Sequence, residues 1–238
     1  MIATLPTTRS RLPYSQRLRN IRPGALLAYW PMDALSSPIA NVQGIAARDG
    51  TIAGTTPRDG VFGGFAPHFD GGATCLFNGY SSSLGTAIDV TLGSMACWAR
   101  VPASAWTDAT ARVMMNILAD STNNYIEVYT DGTNNELAAD FTGGGTNHSA
   151  LATGLTTTDW FHCCMTWSKS PARNTIYIDG VQKAQNTGAF GTWSGAIVRI
   201  SAGADTASVT PWLGDIQHFA IWNAELTAGE VRELARRQ

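Results

Sequence analysis

Apolar and polar residues alternate most cleanly over residues 161–168. Phe161, Cys163, Met165 and Trp167 fall on one side of an extended chain there, and His162, Cys164, Thr166 and Ser168 on the other. A period of two predicts a β-strand. Ser170-Pro171 then turns the chain, residues 175–178 resume the extended pattern, and Asp179-Gly180, a pair that tolerates the positive φ of a tight hairpin, leads into 181–184. Three consecutive antiparallel strands are predicted. Short apolar runs punctuated by Gly, Asn and Asp predict further strands at 94–101, 113–118, 125–129, 137–141, 196–201 and 215–222. The clearest helix is expected over 227–237. Thr227 and Glu230 have capping-box spacing there, and Val231 and Leu234 share a face. The fold class is therefore all-β: two antiparallel sheets in a sandwich, with a short C-terminal helix.

Residues 1–23 depart from this pattern. They hold Pro6, Pro13 and Pro23, and they carry Arg9, Arg11, Arg17, Arg19 and Arg22, all ahead of the first acidic residue, Asp33. A basic, mostly extended N-terminal arm is expected, in which Ser15 caps a short helix over 16–21 that Pro23 ends. The division is then 1–23 arm and 24–238 sandwich. Guanidinium groups bond carboxylates in bidentate fashion, so these five arginines are candidates for docking the arm on a capsid, a tail or a second copy of the chain.

Charge changes the picture elsewhere by what it excludes. With 14% charged residues and a net charge of −2, the chain has no field to gather nucleic acid. No run approaches the roughly 18 apolar residues of a membrane helix, and the first ten residues lack the apolar core of a secretory signal. Cys75, Cys97, Cys163 and Cys164 show no metal-ligand spacing, and a strand points the adjacent pair to opposite faces. Free, buried thiols are expected, as in a chain made in a reducing cytoplasm.

The order of small motifs carries a resemblance. "LLAYWPMDA" (26–34), "DGTIAG" (49–54), "FDGG" (69–72), "SMACWARV" (94–101), "TTDWFHCCMTWS" (157–168), "IYIDGVQKA" (176–184) and "LGDIQHFAIWNAELTAGEV" (213–231) follow one another in that order. In this order they resemble the laminin G-like, or concanavalin A-like, jelly-roll domains, and the opening "YSQRLRNIRPGALLAYWPMD" (14–33) resembles the lead-in of the bacterial and phage versions. The resemblance implies a sandwich of two curved sheets used for recognition of glycans or proteins, and in one branch for glycan hydrolysis. Fold alone does not choose between these.

The hydrolytic branch places its acids on one strand as Glu-x-Asp-x-x-Glu or a close variant. No such run occurs here: neither Glu127 nor Glu136 has an acidic partner two residues on, and Glu225, Glu230 and Glu233 belong to the closing region. A pair assembled from different strands stays open. His68, His148, His162 and His218 are scattered, with no ligand-like neighbour in sequence, so neither a nucleophile–histidine arrangement nor a zinc site is expected. His162 and His218 are read as polar residues on a sheet face. Relatives bind calcium at the rim, which leaves Asp120, Asp70 and Asp205 as candidates, although turns use the same residues for their own bonds.

Sugar binding on a sandwich pairs an exposed ring with amide or carboxylate groups. Trp30, Trp98, Trp160, Trp167 and Trp222 fall within the strand motifs and are expected in the core. Trp106, Trp193, Trp212 and Tyr80 lie in connections and are candidates for a rim site, with Asn123 and Asn124 as polar partners. The expectation is a non-enzymatic recognition protein displayed on a bacteriophage virion as a decoration or tail-associated component, made in the host cytoplasm and anchored by its arm. The alternatives are a stand-alone bacterial lectin-like module, cytoplasmic or exported by an unconventional route, and a glycoside hydrolase.

Overall fold

A computed structural model describes residues 12–34, 37–120, 122–204 and 211–237. Its strands form two sheets in which every pairing is antiparallel. The first sheet runs Val181–Asn186, Ala172–Ile178, Phe161–Lys169, Leu92–Arg100, Leu213–Trp222, Phe65–Asp70 and Thr56–Asp59, with Leu26–Trp30 paired to Leu213–Trp222. The second runs Thr146–Ala152, Leu137–Gly143, Asn124–Asp131, Ala111–Asp120, Arg199–Ala202, Leu76–Asn78 and Thr51–Ala53. The strands expected from the sequence are all present within a few residues of their predicted ends. The strands Thr51–Ala53, Thr56–Asp59, Phe65–Asp70, Leu76–Asn78 and Thr146–Ala152 and the helix Ser82–Ala87 go beyond the expected elements, and Thr51–Ala53 makes a short strand of what reads as a turn.

Two separate cores result, and both faces of the first sheet are covered. Phe161, Cys163, Met165 and Trp167 join Phe69, Phe77, Phe141, Ile200 and Phe219 between the sheets. Cys164, Trp98, Tyr29 and Trp222 lie on the outer face of the first sheet, under the helices Tyr14–Asn20 and Ala228–Leu234. Cys163 and Cys164 thus do point to opposite faces, and the four cysteines are free and buried. All five motif tryptophans are buried. Thr227 and Glu230 form the expected reciprocal capping box.

The arm region holds a correction. The helix spans Tyr14–Asn20, with Pro13 rather than Ser15 at its N-cap, because proline's fixed φ and missing N–H suit that entry. Tyr14, Leu18 and Ile21 are buried against the outer face of the first sheet. Arg17 Nη2 donates to the Arg236 carbonyl, and Arg22 pairs with Glu230 at 2.5 Å, so both turn back onto their own chain. Arg19 is exposed and bonds the Ser15 carbonyl. Arg9 and Arg11 lie outside the described residues.

Candidate functional site

The structure divides the four aromatic rim candidates into two pairs. Trp106 and Trp212 belong to the core, not the rim: Trp106 donates from Nε1 to the Thr157 carbonyl at 2.7 Å, and Trp212 is fully buried between the sheets. Their glycine- and proline-rich settings mark chain turns that fold a ring inward. Tyr80 and Trp193, by contrast, are only half-buried and line one groove of about 480 Å³ with Ser82, Thr86 and Val90. None of the residues lining this groove is acidic.

Asn124, Asn123 and Asp120 form a turn beside the connection that carries Trp193. Asp120 Oδ1 accepts the N–H groups of Thr122 and Asn123, and Oδ2 accepts from Asn124 Nδ2 at 2.8 Å. These bonds, that from Asn124 foremost, hold the Asp120 carboxyl below the usual range. Asn124 is buried, with Oδ1 accepting from Ser194 N and Gly144 N, so it positions the loop instead of facing a ligand. Asn123 is exposed on the same turn. Asp70 is likewise a turn acid: Cys75 Sγ and Gly72 N bond its Oδ1 and lower its pKa. Asp205 lies outside the described residues. Among the described residues, no three His, Cys, Asp or Glu gather as a metal site would require.

A second polar surface joins residues distant in sequence. On the outer face of the second sheet, Asn116, Glu127, Asp140 and Ser149 stand directly opposite one another across four strands. Tyr125 and Tyr129 flank Glu127 on that face, a period-two pattern legible in the sequence as Tyr-x-Glu-x-Tyr. Directly opposed residues bring their Cβ atoms within about 5.5 Å. Glu127 and Asp140 are therefore a cross-strand acid pair. Asp140 is only 1% exposed, however, and its Oδ2 accepts from Tyr129 Oη at 3.0 Å and Asn147 Nδ2 at 2.7 Å. Burial, then the nearby Asp140 charge, pushes the Tyr129 phenol above its ordinary range, so it stays a donor.

The histidines also divide. His68 does have an acidic neighbour, contrary to expectation: its Nδ1 lies 2.8 Å from Asp215 Oδ1. The partner is 147 positions away, which is why spacing did not reveal it. His162 and His218 are buried beneath the N-terminal helix. Burial pushes both down to about 3, helped by Arg17 for His162 and by His162 for His218.

Similar folds occur in several solved structures. Domain 4 of an extracellular arabinanase from Geobacillus stearothermophilus, solved with arabinotriose, superposes with a TM-score of 0.68 at 19% identity over 89% of this chain and 98% of that one. The receptor-binding domain of botulinum neurotoxin type G gives 0.62 at 13% identity, over 89% of this chain and 51% of that one. A Trypanosoma rangeli sialidase gives 0.63 at 14%, over 89% of this chain and 32% of that one. The chain thus spans about half and about a third of the toxin and sialidase chains. No sequence among the curated proteins matches it. The fold is shared by glycosidase-associated domains and by receptor-binding domains, and no helix among the described residues is long and apolar enough to cross a membrane. A family model described as the concanavalin A-like lectin/glucanases superfamily matches residues 78–232, and with that match, on this sandwich, the chain belongs to the laminin G-like branch of that family.

Proposed function

We propose that the chain is a non-enzymatic recognition module that holds a glycan in the groove between Tyr80 and Trp193. The observation that carries this reading is the groove's chemistry: two half-buried rings and the hydroxyl-bearing Ser82 and Thr86, with no acidic residue in its lining. Rings stack on the apolar face of a sugar while hydroxyls bond its edge, whereas glycosidic cleavage needs carboxyl groups at the bond. The arabinanase domain solved with arabinotriose and the toxin receptor-binding domains support a recognition role. A glycan array with the wild type, Tyr80→Ala and Trp193→Ala tests it. At least one substitution should weaken binding about tenfold while the protein stays folded, in line with the worth of a ring contact; unchanged binding in both would sink the proposal.

The opposed Glu127 and Asp140 favour a second reading, hydrolysis on the outer face of the second sheet. Asp140 counts against it, because a carboxylate covered by Tyr129 and Asn147 cannot reach an anomeric carbon. New reducing ends from a polysaccharide panel, abolished by Glu127→Gln, would establish hydrolysis.

The context we infer is display on a bacteriophage virion through residues 1–11, with a stand-alone bacterial lectin-like module as the alternative. The support is Arg9 and Arg11 in a stretch without acids. Deleting 1–11 should abolish co-sedimentation with particles and leave the sandwich folded; unchanged co-sedimentation would remove the anchor.

A further inference from the structure

The outer face of the first sheet points away from the Glu127–Asp140 surface, since the main core lies between the sheets. On it stands a row contributed by adjacent strands: Arg100, Asp215, His68 and Thr56 lie opposite one another in register. Arg58 is two residues beyond Thr56 on the same strand and therefore on the same face. Arg58, His68, Arg100 and Asp215 line a pocket of about 320 Å³ together with Thr158. That volume sits at the lower end of ligand-site sizes.

Asp215 organises the pocket without occupying it. It is 4% exposed, with Oδ2 accepting from Arg100 Nε at 2.6 Å and Oδ1 accepting from His68 Nδ1 at 2.8 Å. A carboxylate only accepts, so Nδ1 carries the hydrogen, and in the neutral form of the His68 ring Nε2 is left as an acceptor. The Arg100 guanidinium is fixed on a second side by Trp160, whose ring centre is 5.1 Å from Cζ. Its Nε is spent on Asp215. Among the described residues, neither Nη1 nor Nη2 of Arg100 has a partner, and exposed Arg58 has none either. Two guanidinium charges against one carboxylate leave the pocket positive. An edge of two parallel N–H groups, held rigid, matches a carboxylate or sulfate.

We infer that this pocket takes the oxyanion of an acidic saccharide between Arg58 and the free edge of Arg100, while a neighbouring sugar hydroxyl donates to His68 Nε2. The hydroxyl distinguishes a uronic acid or sugar sulfate from a bare ion, because a neutral imidazole acceptor needs a donor beside the anion. The saccharide part rests on the glycan-recognition reading above; the oxyanion chemistry stands on these residues alone. The carboxylate and the sulfate are two sources of one chemistry.

The test is a titration of the full chain with D-glucuronate and with glucose 6-sulfate, with glucose and inorganic sulfate as controls, following the His68 imidazole nitrogens by NMR. At least one acidic sugar should shift His68 saturably, glucose should not, and inorganic sulfate should bind more weakly. Which acidic sugar binds identifies the source. Arg58→Ala should weaken binding about tenfold at unchanged Tm, and Arg58→Glu should abolish it, since Arg58 makes no contact that folding needs. Absence of a shift with both acidic sugars, binding of glucose as tight as theirs, or full binding by Arg58→Glu would overturn the inference. Tyr80→Ala and Trp193→Ala should leave this titration unchanged, and a loss in either would move the sugar to the groove and overturn it too. Acidic-sugar binding by a protein that binds no neutral glycan would leave this inference standing and remove the Tyr80–Trp193 site.

Discussion

Asn124 is bonded to Ser194 through both ends of its amide: Oδ1 accepts the Ser194 N–H at 2.8 Å, and Nδ2 donates to Ser194 Oγ at 3.2 Å. Trp193 is thereby held by a residue 70 positions before its neighbour. The same loop approaches the second sheet at Gly191, where any Cβ would overlap the Gly143 carbonyl oxygen.

Asn124→Ala should therefore act on Trp193 from a distance. It removes the four hydrogen bonds made by a buried amide, to Asp120, Gly144 and both polar groups of Ser194, costing about 1–3 kcal/mol of stability. Glycan affinity should fall with it, and denaturant melts alongside array binding would measure both. A melt lowered without any loss of affinity would show that Trp193 is not held through this amide.

Acid should unfold the protein earlier than its carboxylates require. His162 and His218 titrate near 3 in the fold against 6.5 when unperturbed, so the unfolded chain binds more protons between those values. Stability is complete above about pH 6.5 and falls as pH drops, by up to about 1.4 kcal/mol per pH unit for each histidine. Between pH 6.5 and 5 the lowered carboxyls of Asp70, Asp120 and Glu230 stay ionised, so the loss there belongs to the imidazoles. Urea melts across that range should show the slope, and His162→Gln should roughly halve it.

Truncation should separate the two parts of the N-terminal segment. Removing residues 1–11 keeps the buried Tyr14, Leu18 and Ile21 and the contacts described for them. Removing residues 1–23 exposes the outer face of the first sheet by deleting buried Tyr14, Leu18 and Ile21, each worth roughly 1.5–3 kcal/mol. The longer deletion should lower Tm by many degrees and the shorter one hardly at all, as differential scanning calorimetry would show.

Trp167 fills the space above Gly93, whose missing side chain leaves room for the indole. Trp167→Ala should cost roughly 3–5 kcal/mol because the ring is fully buried between the sheets. Gly93→Ala should destabilise as well, by overpacking the same contact. Chemical denaturation of the two variants measures both effects.

By itself the sequence determined the longer strands of regular pattern, the hairpin at Asp179-Gly180, the capping box at Thr227 and the burial of the motif tryptophans. Each depends on residues within a few positions of one another, where backbone periodicity and turn chemistry act. The Tyr-x-Glu-x-Tyr alternation around Glu127 is of the same local kind. Only the tertiary structure decided which connection aromatics face solvent, because Trp106 and Trp212 differ from Tyr80 and Trp193 in what packs against them and not in their local composition. The same holds for the arm, whose apolar Tyr14, Leu18 and Ile21 find their partners on strands and a helix far along the chain. His68, Arg100 and Asp215 meet because antiparallel register aligns strands distant in sequence. No spacing rule along one strand can encode a contact that pairing between strands creates.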